Sequence, residues 1–317
     1  MAWRTAVFSS CRRVRLNRHL YHRTPLGARA AVDSVELTFV VSPSGEKFQE
    51  ASMFCLRMTL YFFLLATVAY AKENYFQMRQ TGFLNRTVTI NQTTYRYQVY
   101  LPANFTTKQK WPVILFLHGA GERGDDGIFQ TQVGLGAAIR QHPERFPCIV
   151  VFPQCRRNRV WYGEMEQQAL QALDESIKKF NGDPQRVYLT GLSMGGYGTF
   201  YIASRHPGKF AALASICGGV VPPPTFPFPP DAAAKIPTEQ PYATIAQRLG
   251  KTPVWIFHGD ADDVIPVTES RQMAEALRTL GGNVKYTEYA GVTHNSWDRV
   301  YAEPEFISWL LSNRLAK

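Results

Sequence analysis

Residues 186–196 read Arg-Val-Tyr-Leu-Thr-Gly-Leu-Ser-Met-Gly-Gly, and no other stretch constrains the folding of this chain as tightly. An apolar run leads into Gly191-Leu192-Ser193-Met194-Gly195, and a helix-like stretch over residues 197–204 follows. A serine in a Gly-x-Ser-x-Gly turn between a buried strand and a helix marks a nucleophile elbow, a strained corner that holds the hydroxyl clear of the sheet. Gly191 and Gly195 have a steric role there, because residues without Cβ let strand and helix approach closely around the corner. Ser193 is therefore the candidate nucleophile. The alternative, a glycine-rich turn holding an ordinary serine, is decided by the surrounding pattern.

That pattern alternates strands and helices. Residues 86–90 and 93–101 are rich in Thr, Tyr and Val and are separated by Asn91-Gln92; Tyr95, Tyr97, Val99 and Leu101 alternate with Thr94, Arg96, Gln98 and Tyr100. A period of two predicts an antiparallel hairpin with one face on the core. Continuous apolar runs follow at 113–117, 149–152, 187–189, 211–216, 254–257 and, more weakly, 284–289. Runs apolar on both faces belong to a parallel sheet covered by helices. Helical spacing predicts helices over 164–180, with Asn181-Gly182-Asp183-Pro184 as the stop, over 268–280 with Thr268 as cap, and over 304–315. The fold class is thus three-layer α/β, with a mostly parallel central sheet and an antiparallel N-terminal hairpin. Residues 222–241 interrupt the alternation. They are too proline-rich for a helix or inner strand and read as a rim or lid segment over a site, or as a surface crossover.

A serine nucleophile needs a base, and the base needs an acid to orient it. After the run ending at Phe257 comes His258-Gly259-Asp260-Ala261-Asp262-Asp263, and after the run ending at Tyr289 comes Gly291-Val292-Thr293-His294. His294 is the candidate base, with the acid among the three aspartates of the preceding loop. His118 and His258 end strands ahead of glycines and read as packed, hydrogen-bonded residues; His142 and His206 precede prolines and read as loop residues. No metal-ligand cluster of the His-Glu-x-x-His kind appears, so neither a metal nor any other cofactor is implied. The run ending at Leu117 leads into His118-Gly119-Ala120-Gly121, a loop of small residues whose amides can turn inward.

Three segments carry a family likeness: Leu117-His118-Gly119-Ala120-Gly121-Glu122-Arg123-Gly124-Asp125-Asp126, Phe152-Pro153-Gln154-Cys155 with Trp161, and Gly191 to Tyr197. They resemble secreted esterases and predicted peptidases among the polyhydroxybutyrate-depolymerase-like, feruloyl-esterase-like and prolyl-oligopeptidase-like α/β-hydrolases, over roughly residues 82–315. The order serine, acid, histidine along the chain is that of this fold. The resemblance implies a carboxylesterase-type serine hydrolase working through an acyl-enzyme. It places the acid at Asp262, through the pattern H-G-x-x-D-x-x-V-P, and the oxyanion hole at the amides of Ala120 and Met194, with Gly121 the second choice for the loop amide. It also sets Trp161 at the pocket border, as an aromatic wall or as a core residue. The stretch 122–126 reads as a self-bonded loop rather than a second centre. The substrate implied is a small-molecule, polysaccharide-linked or polymer-linked ester. The alternatives are a prolyl-oligopeptidase-like peptidase of short peptides and a non-catalytic binding module on the same scaffold. Prolyl oligopeptidases carry a large β-propeller, and this chain has no repeat long enough to supply one.

Charge bears on partners and location. The 317 residues carry a formal net charge of +10, but residues 1–71 hold nine of the 35 Lys/Arg and four of the 25 Asp/Glu, leaving 26 against 21 in the remainder. No basic stripe with interleaved aromatics stands out, so no nucleic-acid partner is implied, and the chain reads as a monomer. Residues 58–71 form a short apolar run behind Arg57, ending in Ala69-Tyr70-Ala71. The run is shorter than the roughly 20 residues of a membrane span and matches a secretory signal peptide. The expected organisation is a leader over 1–52 outside the working protein, or an organelle transit peptide, then a signal peptide over 53–71 and one catalytic domain over 72–317. Export makes the protein secreted or periplasmic, with no stable membrane anchor. The sequons at Asn85, Asn91 and Asn104 then become candidate glycosylation sites. Cys148, Cys155 and Cys217 make an odd set without an obvious pair and read as buried thiols. N-terminal sequencing of the exported protein is expected to begin at Lys72; a start upstream of that residue would contradict cleavage after Ala71.

Overall fold

A computed structural model describes residues 56–70, 80–224 and 237–315. The chain divides into two units, Met1–Glu73 and Asn74–Lys317. In the first, residues 56–70 form helix α1, whose Leu60, Phe62, Phe63 and Leu64 side chains are exposed. No helix among the described residues is long and apolar enough to cross a membrane. The leader and the cleavage position after Ala71 lie outside the described residues.

The second unit is built on one sheet. Its strands are β1 (Gly82–Ile90), β2 (Thr93–Leu101), β3 (Trp111–Leu117), β4 (Ile149–Pro153), β5 (Gly182–Leu192), β6 (Ala212–Ile216), β7 (Val254–Gly259) and β8 (Val284–Tyr289), in spatial order β1-β2-β4-β3-β5-β6-β7-β8. β1 and β2 form the antiparallel hairpin, β2 also runs antiparallel to β4, and the other pairs are parallel. Asn91 and Gln92 close the hairpin with φ of 45° and 68°, the left-handed geometry a two-residue turn requires.

Alternation along each inner strand sends side chains to two separate cores. Val113, Leu115 and Leu117 of β3 join one cluster, and Ile114 and Phe116 join the other. The first is covered by α3 (Glu164–Lys179), α4 (Met194–Arg205), α5 (Pro241–Leu249) and α6 (Thr268–Thr279). The second is covered by α2 (Leu135–Gln141), α7 (Trp297–Ala302) and α8 (Pro304–Ser312). Burial on both faces explains why these strands read as unbroken apolar runs.

Some expectations need correction. The one-sided hairpin face fails beyond Arg96: Gln98 and Tyr100 are buried along with Tyr97 and Val99, because β4 pairs with β2 and Tyr100 packs on Phe83 at 5.3 Å. Asn181 supplies the turn after α3 with φ 52°, but Gly182-Asp183-Pro184 already belongs to β5. Thr268 is the first helical residue of α6 and not its cap, which is Val267. The last helix stops at Ser312, after which Leu315 donates its amide to Gln185 on the sheet. Helices α2 and α7 were not foreseen, being too short to display a period, nor was α5, whose first residue falls in the proline-rich segment. α5 begins at Pro241, a first-turn position where the missing N–H costs nothing. Of the proline-rich segment, residues 225–236 lie outside the described residues, and the rim or lid expected there with them.

At the centre of the sheet the elbow is closed by contact. A Cβ on Gly195 would stand 1.9 Å from the Leu117 carbonyl oxygen, and one on Gly191 would stand 2.3 Å from the Gly195 carbonyl oxygen. The start of α4 therefore abuts the ends of β3 and β5 with no room for a methyl group. Gly195→Ala is expected to lower unfolding free energy by about 3 kcal/mol or more. Gly121→Ala, where a Cβ meets nothing within 4 Å, should stay within about 0.5 kcal/mol of the parent; urea denaturation of both variants checks the contrast.

Candidate active site

Ser193 sits between β5 and α4 with φ 53° and ψ −118°, in the positive-φ region that side chains avoid. Bonds on both sides hold it there: its N–H donates to the Ile216 carbonyl at 2.9 Å, and its carbonyl accepts from the Gly196 amide at 2.8 Å. The residue is 6% exposed, so little of it is open to solvent.

His294 lies on the loop after β8, 101 positions from Ser193 in sequence, yet its Nε2 is 3.0 Å from the Ser193 Oγ. Its Nδ1 is 2.8 Å from Asp262 Oδ2. An ionised carboxylate can only accept, so Nδ1 carries the proton and Nε2 presents a lone pair to the serine hydroxyl. The imidazole is placed by Trp297, whose ring meets it edge to face at 5.4 Å. Tight backbone packing brings the two loops together, since a Cβ on Gly259 would fall 2.0 Å from the Val292 carbonyl oxygen and the Ala261 amide donates to that same oxygen at 3.1 Å.

Asp262 is the most completely enclosed group of the three, with no exposed side-chain surface. Its Oδ1 accepts from the amides of Val264 and Ile265, both at 2.9 Å, and its Oδ2 from His294 and from His258 Nε2 at 3.1 Å. Burial opposes the charge, but the hydrogen bonds from His258, His294 and the Ile265 amide outweigh it and hold the carboxyl well below its usual range. His258 shares its one Nε2 proton between Asp262 and the Ile265 carbonyl at 3.0 Å, and its Nδ1 is 2.7 Å from the Ser270 hydroxyl.

The other aspartates of that loop do different work. Asp260 accepts from the Gly291 amide at 2.6 Å and ties the two loops together, while Asp263 is exposed. His142 and His206 end helices away from this row, and His206 bonds Glu166 at 2.9 Å. His118 is buried, accepting at Nε2 from the Cys155 amide at 2.9 Å and facing the Gly119 carbonyl at 2.6 Å. Burial lowers its pKa to about 3, so it is neutral.

Two helix starts face this region. Ala120 is the first residue of the 3₁₀ turn Ala120–Glu122, and Met194 is the first of α4; amides at such positions have no partner within their own helix. A Cβ on Gly119 would come within 3.7 Å of the Ser193 Cβ, so the 119–121 loop lies directly against the serine. Trp161 is core and wall together. Its indole N–H donates to the His118 carbonyl at 3.0 Å, and the ring lines an apolar cavity with Tyr162, Met194, Phe200, Val220 and Ile245.

Cys217, Asp262 and His294 are the one group among the described residues whose ligand atoms lie within 4.8 Å of one another. It is a poor metal site: burial pushes the Cys217 thiol up, so it stays protonated, and the other two atoms already bond each other. Cys148 and Cys155 are likewise buried and unpaired.

Sequence reasoning missed three contributors. His258 is the packed, hydrogen-bonded residue expected, but that Asp262 is among its partners was not foreseen. Gln154 accepts from the Gly127 amide at 2.7 Å and donates to the Glu122 carbonyl at 3.2 Å, fastening the 122–127 loop. Trp297 steadies the imidazole. Only His258 had a signal, four positions before Asp262 at a strand end.

Known proteins share this architecture. A family described as "Putative esterase" matches residues 89–309. An uncharacterized secreted protein of Arthroderma benhamiae is 26% identical over 245 residues, 72% of this chain and 26% of its own length. A bifunctional acetylxylan esterase/xylanase of Neocallimastix patriciarum is 32% identical over 171 residues, 53% of this chain and 21% of its own length. The chain thus spans about a quarter of the length of these two relatives. Among solved structures, a thermostable esterase is 30% identical with a TM-score of 0.61, over 73% of this chain and 63% of its own.

Because Asp262 titrates lower in the folded chain than in the unfolded one, its charge stabilises the fold above the ordinary carboxylate range. That contribution is lost as pH falls through the depressed folded value. Asp262→Asn is expected to reduce unfolding free energy at pH 7 by about 3 kcal/mol, with the gap to the parent narrowing below roughly pH 4. Urea unfolding across pH checks both; a gap constant down to pH 2 would contradict them.

Proposed function

Since the chain belongs to the esterase family matched over residues 89–309, we propose that it is a secreted serine hydrolase that cleaves carboxylic esters through an acyl-enzyme. The observation that carries this reading is the hydrogen-bonded row Ser193 Oγ, His294 Nε2, His294 Nδ1 and Asp262 Oδ2, with spacings of 3.0 and 2.8 Å. In the proposed cycle Ser193 attacks the ester carbonyl as His294 Nε2 takes its proton. Asp262 stabilises the imidazolium without taking a proton, because four donors already hold its negative charge. The amides of Ala120 and Met194 receive the developing oxyanion; one such donor is worth about 10² to 10³ in rate. The leaving alkoxide takes the proton from Nε2, and water, activated by the same nitrogen, releases the acid.

The uncharged cavity walled by Trp161, Tyr162, Met194 and Val220 suits an apolar or aromatic acyl group. A polysaccharide-linked alcohol is favoured by the acetylxylan esterase relative, and export by the relative that is called a secreted protein. Ester rather than peptide cleavage is favoured by the esterase relatives.

The parent protein is expected to hydrolyse 4-nitrophenyl acyl esters, to leave short peptide amides intact and to be labelled by a serine-directed fluorophosphonate. Ser193→Ala should lose the label and at least about 10⁴-fold of kcat. Labelling that persists in that variant would sink the assignment.

A further inference from the structure

Arg123 follows the 3₁₀ turn Ala120–Glu122 and is half-buried. Its Nε and Nη2 both point at the Met194 sulfur, at 3.2 and 3.1 Å. A thioether is a weak acceptor, and no carboxylate stands against this guanidinium among the described residues. Six other arginines, Arg156, Arg186, Arg205, Arg271, Arg278 and Arg314, each meet an Asp or Glu. Arg140, also lowered in pKa by burial, has oxygen acceptors on Thr131 and Gly136.

The adjacent acid does not serve Arg123. Glu122 is buried, with Oε2 turned to within 3.1 Å of where a Gly119 Cβ would stand. Burial raises its pKa against the pull of the Gly119 and Glu122 amides. The Cys155 thiol near Arg123 is pushed up to about 12 by burial and is neutral. The cation is nonetheless held in place: Gln154 clasps Glu122 and Gly127, and the Gly124 amide donates to the Cys155 carbonyl at 2.9 Å. A preorganised, partly desolvated guanidinium thus stands one methionine side chain from an amide assigned to the oxyanion.

We propose that Arg123 is a specificity-determining residue that binds a carboxylate carried by the ester substrate a few bonds from the scissile carbonyl. The edge formed by Nη1 and the second N–H of Nη2, not turned to the sulfur, is a planar fork that matches a carboxylate's two oxygens, and incomplete solvation strengthens such a pair. The apolar cavity is lined by no charged residue, so the carboxylate sits outside it, on the guanidinium. This inference rests on the esterase reading of the same site and adds the chemical class of the substrate.

The test compares kcat/KM for 4-nitrophenyl butyrate, which is neutral, with mono-4-nitrophenyl glutarate, anionic on the acyl half, and 4-carboxyphenyl butyrate, anionic on the alcohol half. In Arg123→Gln the ratio of one anionic ester to the neutral one is expected to fall about tenfold or more, chiefly through KM, with partial recovery in Arg123→Lys. The ester that responds identifies the half that carries the charge. Should Arg123→Gln fail to fold, competitive inhibition of the parent by glutarate, at least about tenfold stronger than by neutral glutaramide, reads the same contact. Ratios that move less than threefold, or equal inhibition by the two compounds, would overturn the proposal while hydrolysis of the neutral ester left the esterase reading standing. A parent that hydrolyses none of the three would instead strike at that reading.

Discussion

Everything at the top of this sheet depends on how closely the first turn of α4 approaches the ends of β3 and β5. Gly191 and Gly195 stand where a methyl group would overlap backbone oxygens of Gly195 and Leu117. That approach leaves Ser193 only a positive-φ corner, a conformation costing about 1–3 kcal/mol that persists when its surroundings over-determine it. The bonds to Ile216 and from Gly196 supply that surrounding. Local strain and central packing are two aspects of one arrangement.

A second dependence runs through Asp262. A carboxylate with no exposed surface is costly unless every lone pair is engaged, and two amides with two imidazoles engage them here. His258 completes that set from the end of β7, where Ser270 on α6 fixes its other nitrogen. The acid is thereby bound to the sheet on one side and to His294 on the other, so the imidazole meets the serine from a rigid platform rather than from two free loops.

How much was legible follows from distance along the chain. The inner strands were readable because both of their faces are buried, which leaves unbroken apolar runs; α3 and α6 were readable because each spans several turns. Helices α2 and α7 were not, since six or seven residues barely exceed one period and their burial is set by the sheet they cover. Tyr100 and Gln98 misled because β4 returns antiparallel beside β2, a pairing that nothing within 93–101 announces. In the site, Ser193, Asp262 and His294 were nameable from motif and order. His258 as the partner of Asp262, Gln154 as the clasp of the 122–127 loop and Trp297 against the imidazole were not.

Alone, the sequence determined which groups could react and in what order they occur, because a glycine-flanked serine, an aspartate and a histidine after successive apolar runs are local patterns. It also determined the layering, since the hydrophobic period is a property of neighbouring residues. Only the tertiary structure decided that His258 stands behind Asp262, that Trp297 meets the imidazole, and that Arg123 is left with a sulfur where six other arginines have carboxylates. Those are relations set by strand order and by the shape of packed loops, and no local pattern encodes a distance of 3 Å between positions 101 residues apart.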